Sequence, residues 1–151
     1  MLDDIDRRLL RYWQADPDLG PADLAEKVGM TAGKAARRLG RMQEIGVIEG
    51  IGAVIDWTAL GYAVEVSLRI TLDKTQPRAF DEFIEAARLV PEVTEIQTFL
   101  GRVDVRLNII ARDMAHYQHI YRQHVLILPH IADIEALMQI ARIKGEEALP
   151  L

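Results

Sequence analysis

Residues 21–48 read PADLAEKVGMTAGKAARRLGRMQEIGVI, and their spacing decides the fold of the first third of the chain. Pro21 follows Gly20 and suits the first position of a helix. Leu24, Ala25 and Val28 then share one face, and Gly29 supplies the left-handed residue that ends the helix. Thr31 is a natural N-cap for a second helix, in which Ala35, Leu39 and Met42 recur at i, i+4 and i+7 before Gly46 stops it. Two short helices meeting at a glycine turn, with small Ala25 where they would cross, have the spacing of a helix-turn-helix.

Working upstream, Asp3 caps a first helix with Asp6 in the capping-box position. Ile5, Leu9, Leu10 and Trp13 form its apolar stripe, and Asp16-Pro17 ends it. Asp3, Asp4 and Asp6 also suit the positive end of the helix dipole.

At about 100° per residue, the face of the second motif helix opposite Ala35, Leu39 and Met42 carries Lys34, Arg37 and Arg41, with Arg38 on the flank. Residues 30–43 hold these four positive charges and no acid, whereas the chain as a whole has 18 Lys and Arg against 23 Asp and Glu and a net charge of -5. A cationic face on an anionic molecule suits a phosphate backbone, because each basic group that neutralises a phosphate releases counterions. The plainer reading is a solvated basic face on a three-helix packing module. Gly33 and Gly40 weigh on that side, each costing about 1 kcal/mol of helix propensity relative to Ala.

Downstream the period changes. Val47-Ile48, Gly50, Gly52 and Ala53 to Ile55 predict a short two-stranded wing, so residues 1–50 form the helix-turn-helix domain and 51–62 a wing and linker. From Val64 to Leu72 apolar and polar residues alternate as in a half-buried strand. A helix follows Pro77, with Phe80, Phe83, Ile84 and Ala87 inward, and Pro91 closes it. Val93 to Leu100 and Val105 to Ala111 predict a hairpin around Gly101 to Asp104. Asp113 caps a last helix with Met114, Tyr117, Ile120, Tyr121, Ile127 and Leu128 inward, and Ile131 to Lys144 reads as the final strand.

The order β-α-β-β-α-β over residues 63–145 is the ferredoxin-like unit, an antiparallel sheet with both helices on one face. The fold class is α+β. An uncovered sheet face bearing apolar residues calls for a second copy of the chain, hence a homodimer or larger assembly. The tail, 146–151, is expected to be poorly ordered.

The 151 residues contain no cysteine, which excludes disulfides, Cys-ligated metals and thiol catalysis. The start, MLDDIDRR, is no secretory signal, and the longest aliphatic run, Val125 to Leu128, is far short of the roughly 20 residues of a membrane span. A cytoplasmic protein without membrane attachment, cofactor or catalytic residues is expected. His116 and His119 have chelate spacing, yet no third ligand stands beside them in sequence, so no metal site is expected. Gly50-Ile51-Gly52 lacks the third glycine and the strand-turn-helix of a dinucleotide fingerprint.

The segments LDDIDRRLL, DLAEKVGMTAGKAARRLGRMQEIGVIEG, AVID and LGY, followed by a β-α-β-β-α-β region with GRVD at its hairpin, resemble the Lrp/AsnC family, the feast/famine regulators, over essentially the whole chain. The resemblance implies an N-terminal DNA-binding domain and a C-terminal domain for ligand sensing and oligomerisation, in which amino acids bind at subunit interfaces. It also implies dimers that associate into octamers. Its DNA-reading helix maps onto Thr31 to Ile45, so Thr31, Lys34, Arg37, Arg38 and Arg41 inherit the contact role. Its Gly-x-x-Asp effector motif falls on Gly101 and Asp104, where backbone N–H groups would hold a carboxylate and an aspartate an α-ammonium. Leu100 precedes the glycine where the family commonly has Thr, and Ile134 and Ala136 stand in the last strand where Thr is frequent. The expected effector set is Leu100, Gly101, Asp104 and Ala136. Read locally, Asp104 would instead cap the turn or pair with Arg102 or Arg106. Asp18, Gly20 and Ile51 are further departures from the family pattern.

Two other functions fit the same scaffold. Siroheme decarboxylases resemble this family, but their activity would need His and Arg residues around a tetrapyrrole, and no His-Asn-Tyr-x-Arg type segment follows the wing. The other is a sensor-only oligomer whose head no longer reads sequence.

Overall fold

The computed structural model describes residues 1–145 and 148–151. It divides into two compact units, one formed by Met1–Val54 with Lys144–Leu151 and the other by Ile55–Ile143. The tail assigned to 146–151 falls partly outside the described residues, at 146 and 147. Its remaining residues belong with the first unit.

In the first unit α1 spans Asp4–Ala15, α2 Pro21–Val28 and α3 Ala32–Glu44. The Asp3 and Asp6 capping box forms reciprocally at the start of α1, Gly29 is left-handed with φ 75°, and the Thr31 hydroxyl accepts from the Lys34 N–H. Leu9, Leu24, Ala25, Val28, Ala35, Leu39 and Met42 make one core. That core is small, so packing against it rather than propensity holds these short helices.

No wing forms among the described residues of this unit. Val47 and Ile48 were to supply its first strand, but both of their N–H groups return to the Met42 carbonyl, at 2.8 and 3.1 Å. The segment is consumed in ending α3. Beyond it Ile51, Val54 and Ile55 are exposed, with nothing to pair against.

In the second unit β1 (Val64–Leu72), α4 (Ala79–Ala87), β2 (Val93–Thr98), β3 (Val105–Ala111), α5 (Met114–Ile120) and β4 (Ile131–Met138) follow in order. The antiparallel sheet runs β2-β3-β1-β4. Val66, Leu68, Ile70 and Leu72 of β1 and Val105, Leu107 and Ile109 of β3 meet Phe83 of α4 and Tyr117 and Ile120 of α5 in the second core. Both helices therefore cover one sheet face.

Several boundaries differ from the reading of the sequence. β4 stops at Met138, which pairs with Val66, because β1 begins only two residues further on and leaves no partner for residues up to Lys144. α5 gives way to a single π-helical turn, Tyr121–Val125, and Ile127 beyond it faces outward. Ile127, Met114 and Phe80 are exposed rather than inward. The uncovered sheet face bears the apolar Ile110 and Leu137, opposite Glu65 and Ser67, but is mainly polar. It carries Glu65, Arg69, Arg106 and Asn108 tied in pairs: Asn108 to Glu65 at 2.9 Å, Arg106 to Glu95 at 3.3 Å, and Arg69 to Glu135 at 4.0 Å.

Candidate nucleic-acid interface

α3 presents its basic residues on one side because Ala35, Leu39 and Met42 are committed to the core on the other. Lys34, Arg37, Arg38 and Arg41 together line one shallow depression of about 400 Å³. The four side chains that the sequence placed on a common face do share a surface.

They are not equivalent. Arg38 Nη1 lies 2.7 Å from Asp3 Oδ2 and 2.7 Å from Asp6 Oδ1, and Arg41 Nη2 lies 2.7 Å from Asp6 Oδ2. The Asp6 side chain is 0% exposed, that of Asp3 52% and that of Arg38 29%. Asp6 Oδ2 also accepts from the Asp3 N–H at 3.1 Å. One buried carboxylate thus closes the α1 capping box and grips both arginines. The Asp6 N–H, and after it the Arg38 guanidinium, hold the Asp3 carboxyl below the usual aspartate value, while Asp3 and then Asp6 raise Arg38. Among the described residues Lys34 and Arg37 have no such carboxylate partner within ion-pair distance. Reading the sequence alone assigned Asp3 and Asp6 to capping and the helix dipole. It missed their hold on α3, although the acids at 3 and 6 and the arginines at 38 and 41 were each in view.

Thr31 is occupied as the N-cap of α3. Gly33 and Gly40 both face open space where a Cβ would stand, so packing within the chain does not require either glycine.

In the second unit Leu100 is fully exposed beside Gly101 at the hairpin tip. Asp104 is turned inward and only 3% exposed. Its Oδ2 accepts from the Leu72 N–H at 2.8 Å, its Oδ1 is 3.1 Å from Lys74 Nζ, and its own N–H donates to the Ile70 carbonyl at 3.0 Å. It neither caps the turn nor pairs with Arg102 or Arg106, because its carboxylate is taken by the Leu72 N–H and Lys74. Ala136 sits on β4 opposite Leu68, across β1 from the hairpin. Leu100 and Gly101 are together; Asp104 and Ala136 each stand apart from them.

Of the four histidines His119 and His124 stand edge to face with ring centroids 6.1 Å apart, and the other two are engaged elsewhere. His116 Nδ1 accepts from the Arg112 N–H at 3.1 Å, and His130 Nε2 lies 2.5 Å from Glu82 Oε2. No group of three His, Asp or Glu side chains among the described residues is placed to hold a metal ion.

A capped helix-turn-helix with a cationic second helix, followed in the same chain by a ferredoxin-like unit, defines a DNA-binding head with a sensor-type domain. Comparison with known proteins agrees. The model of the AsnC-type helix-turn-helix domain matches residues 2–43, and that of the Lrp/AsnC ligand binding domain matches residues 65–149. The proline dehydrogenase transcriptional activator of Rhodobacter capsulatus is 32% identical over 132 residues, covering 87% of this chain and 86% of that protein. Among solved structures, an AsnC family transcriptional regulator from Agrobacterium tumefaciens superposes with TM-score 0.89 at 32% identity, over 99% of this chain and 97% of that one. A Neisseria meningitidis transcriptional regulator solved as an L-Met complex has the same fold, with TM-score 0.91 at 22% identity, over 99% and 97% of the two chains. The chain belongs to the Lrp/AsnC family. It is a transcription regulator of that type, with a DNA-binding helix-turn-helix.

Proposed function

We propose that the regulator lays α3 along duplex DNA with Lys34 and Arg37 as its free phosphate- and base-contacting cations, Thr31 at the entry of the helix, and Arg38 and Arg41 held in position by Asp3 and Asp6. The observation that carries this reading is the shared depression lined by all four basic side chains. A pinned arginine still presents its remaining donors outward, and pinning reduces the entropic cost of binding.

The effector of this reading is an amino acid. The match to a ligand binding domain over residues 65–149 supports it, as does the L-Met bound by the Neisseria regulator. Leu100 and Gly101 offer the exposed hairpin tip, and Asp104 would exchange its contact with Lys74 for an α-ammonium. Ala136 lies two strands away, about 10 Å across the sheet, and also further along it, opposite Leu68 where the hairpin closes beyond Ile70, so a ligand touching both regions takes one of them from a second subunit. The assembly is a homodimer, and dimers associate into octamers. The charged sheet face pairs with that of a second copy, its carboxylates and guanidiniums set for exchange across a two-fold axis. The relatives are transcription regulators, which supports a role without catalysis and a place in the cytoplasm, where the DNA is. No helix among the described residues is long and apolar enough to cross a membrane.

The test is a gel shift with the DNA upstream of the protein's own gene, repeated with a panel of amino acids and paired with a sizing column. A shift at moderate salt whose midpoint or assembly size responds to one amino acid is the expected result. Loss of specificity over random DNA would overturn the regulator's reading of sequence.

A further inference from the structure

Within the first unit, α1 meets a second segment far along the chain. The Gln14 side chain accepts from the Leu149 N–H at 2.9 Å through Oε1 and donates to the Leu149 carbonyl at 2.7 Å through Nε2. Arg11 Nε donates to the Leu151 carbonyl. The Leu151 N–H bonds the Leu149 carbonyl at 2.9 Å, so that oxygen uses both of its lone pairs, one on Gln14 and one within the turn centred on Pro150. Gln14 therefore reads the backbone of Leu149 as a neighbouring strand would, through paired N–H and C=O contacts. Such contacts recognise an extended main chain, and the proline that follows Leu149 favours extension at that residue. Around these bonds lies a pocket of about 610 Å³ lined by Leu10, Trp13, Pro17 and Ile51 together with Leu149 and Leu151.

We propose that residues 148–151 are a latch: the chain's own Ala-Leu-Pro-Leu segment, with the Leu149 side chain 61% exposed, is held through its backbone at the rim of this groove of the helix-turn-helix unit and pins the C-terminal end of α1. α1 ends on the Asp16 N–H, which bonds the Tyr12 carbonyl, and its last turn has no basic residue, so the bonds of Arg11 and Gln14 to the latch are what tie this end to another segment. Its other end is already fixed by Asp6 and the α3 arginines. The latch follows the sensor domain in sequence. The first unit therefore holds chain from both sides of the second in sequence, and the later piece can be released without cutting the earlier one. The inference does not depend on the DNA or effector readings.

Trp13 is the reporter, since it lines the pocket and donates through Nε1 to the Pro17 carbonyl at 3.2 Å. Replacing the other tryptophan, Trp57→Phe, leaves its emission alone in the spectrum. In that background two variants are compared with the full chain, one truncated after Gly145 and one carrying Gln14→Glu, which keeps the acceptor for the Leu149 N–H and removes the donor to its carbonyl. Both should shift Trp13 emission to longer wavelength. Truncation should also raise amide exchange in the last turn of α1 by roughly tenfold, the change two modest hydrogen bonds give together, and Gln14→Glu by roughly threefold, the change one gives. A peptide spanning residues 145–151 should reverse the shift in the truncated chain and fail to do so when Gln14→Glu is also present. Unchanged emission and exchange on truncation would overturn the latch. So would a Trp13 signal in the full chain that varies with protein concentration, which would assign the docked segment to another copy.

Discussion

Asp6 and Arg38 stand 32 residues apart in the chain and 2.7 Å apart in the structure, the acid fully buried on α1 and the arginine at the rim of the cationic depression on α3. The pair joins the capping of the first helix to the orientation of α3. Two of the four cations of α3 are thereby balanced inside the head, so the charge it offers a phosphate backbone is smaller than the sequence count implies.

Replacing Asp6 by Asn removes a charged acceptor from two guanidiniums while nearly keeping its volume. Charge-assisted hydrogen bonds of this kind are each worth about 1.5–3 kcal/mol, and the released arginines regain water. A loss of about 2 kcal/mol in the stability of the N-terminal unit is expected, read as a lower urea midpoint for the α-helical signal. An unchanged midpoint would show that the ion pairs contribute nothing net.

Lys34 and Arg37 should behave differently from Arg38. Alanine at either should leave stability within about 0.5 kcal/mol, as at most surface positions, and should lower the slope of log affinity against log salt by about one for each phosphate no longer neutralised. Arg38→Ala should lower both stability and affinity. Fluorescence anisotropy at three salt concentrations separates the cases, and an unaltered slope for the Lys34→Ala, Arg37→Ala double variant would remove these residues from the interface.

Much of this was readable in advance because it is local. The capping box at Asp3, the left-handed Gly29, the Thr31 cap and the alternation from Val64 to Leu72 are set by residues a few positions apart, and all are present. What escaped depends on contacts distant in sequence. Helical periodicity places Arg38 and Arg41 on a face without saying that an acid 32 or 35 residues earlier meets them there. The wing failed for a competing local reason: Val47 and Ile48 have strand-forming side chains, but their N–H groups end a helix. The inward turn of Asp104 follows from the register of β1 on β3, which no turn pattern records.

Among the described residues Asp3 and Glu82 are two of the three carboxylates held below their ordinary values, Asp73 being the third. The Asp6 N–H and then Arg38 hold Asp3 below its ordinary 3.8, and the hydrogen bond with His130 holds Glu82 below 4.5. A carboxylate more acidic when folded than unfolded contributes its full stabilisation above the unfolded value and loses it as pH falls through the folded one. Stability should therefore be flat in these two groups above about pH 5 and decline below pH 4. The Asp3→Asn, Glu82→Gln double variant should show a shallower decline than the parent in urea midpoints at pH 7, 4 and 3. Equal slopes would show that neither pair is linked to folding.

Gly40 lies inside α3 with open space where its Cβ would be. Gly40→Ala should raise stability by up to about 1 kcal/mol through helix propensity alone. If DNA affinity falls at the same time, the glycine is kept for a close approach of the duplex. Unchanged affinity would show that it is dispensable to binding.

Asp104 tests structure and sensing separately. Its buried Oδ2 satisfies the Leu72 N–H where β1 ends, so Asp104→Ala should strand that donor and cost the second unit about 2 kcal/mol. Asp104→Asn can still accept from the Leu72 N–H with its amide oxygen. Its main loss is the ion pair with Lys74, whose side chain is 59% exposed, and a solvent-exposed cation contributes under about 1 kcal/mol. The asparagine variant should therefore stay folded. If the aspartate receives the α-ammonium of an amino acid, that variant should also lose the amino-acid response in the gel shift while keeping the response-free affinity for DNA. A folded Asp104→Asn protein that still answers the same amino acid at the same concentration would limit Asp104 to joining β1 to β3 and place the ammonium site elsewhere.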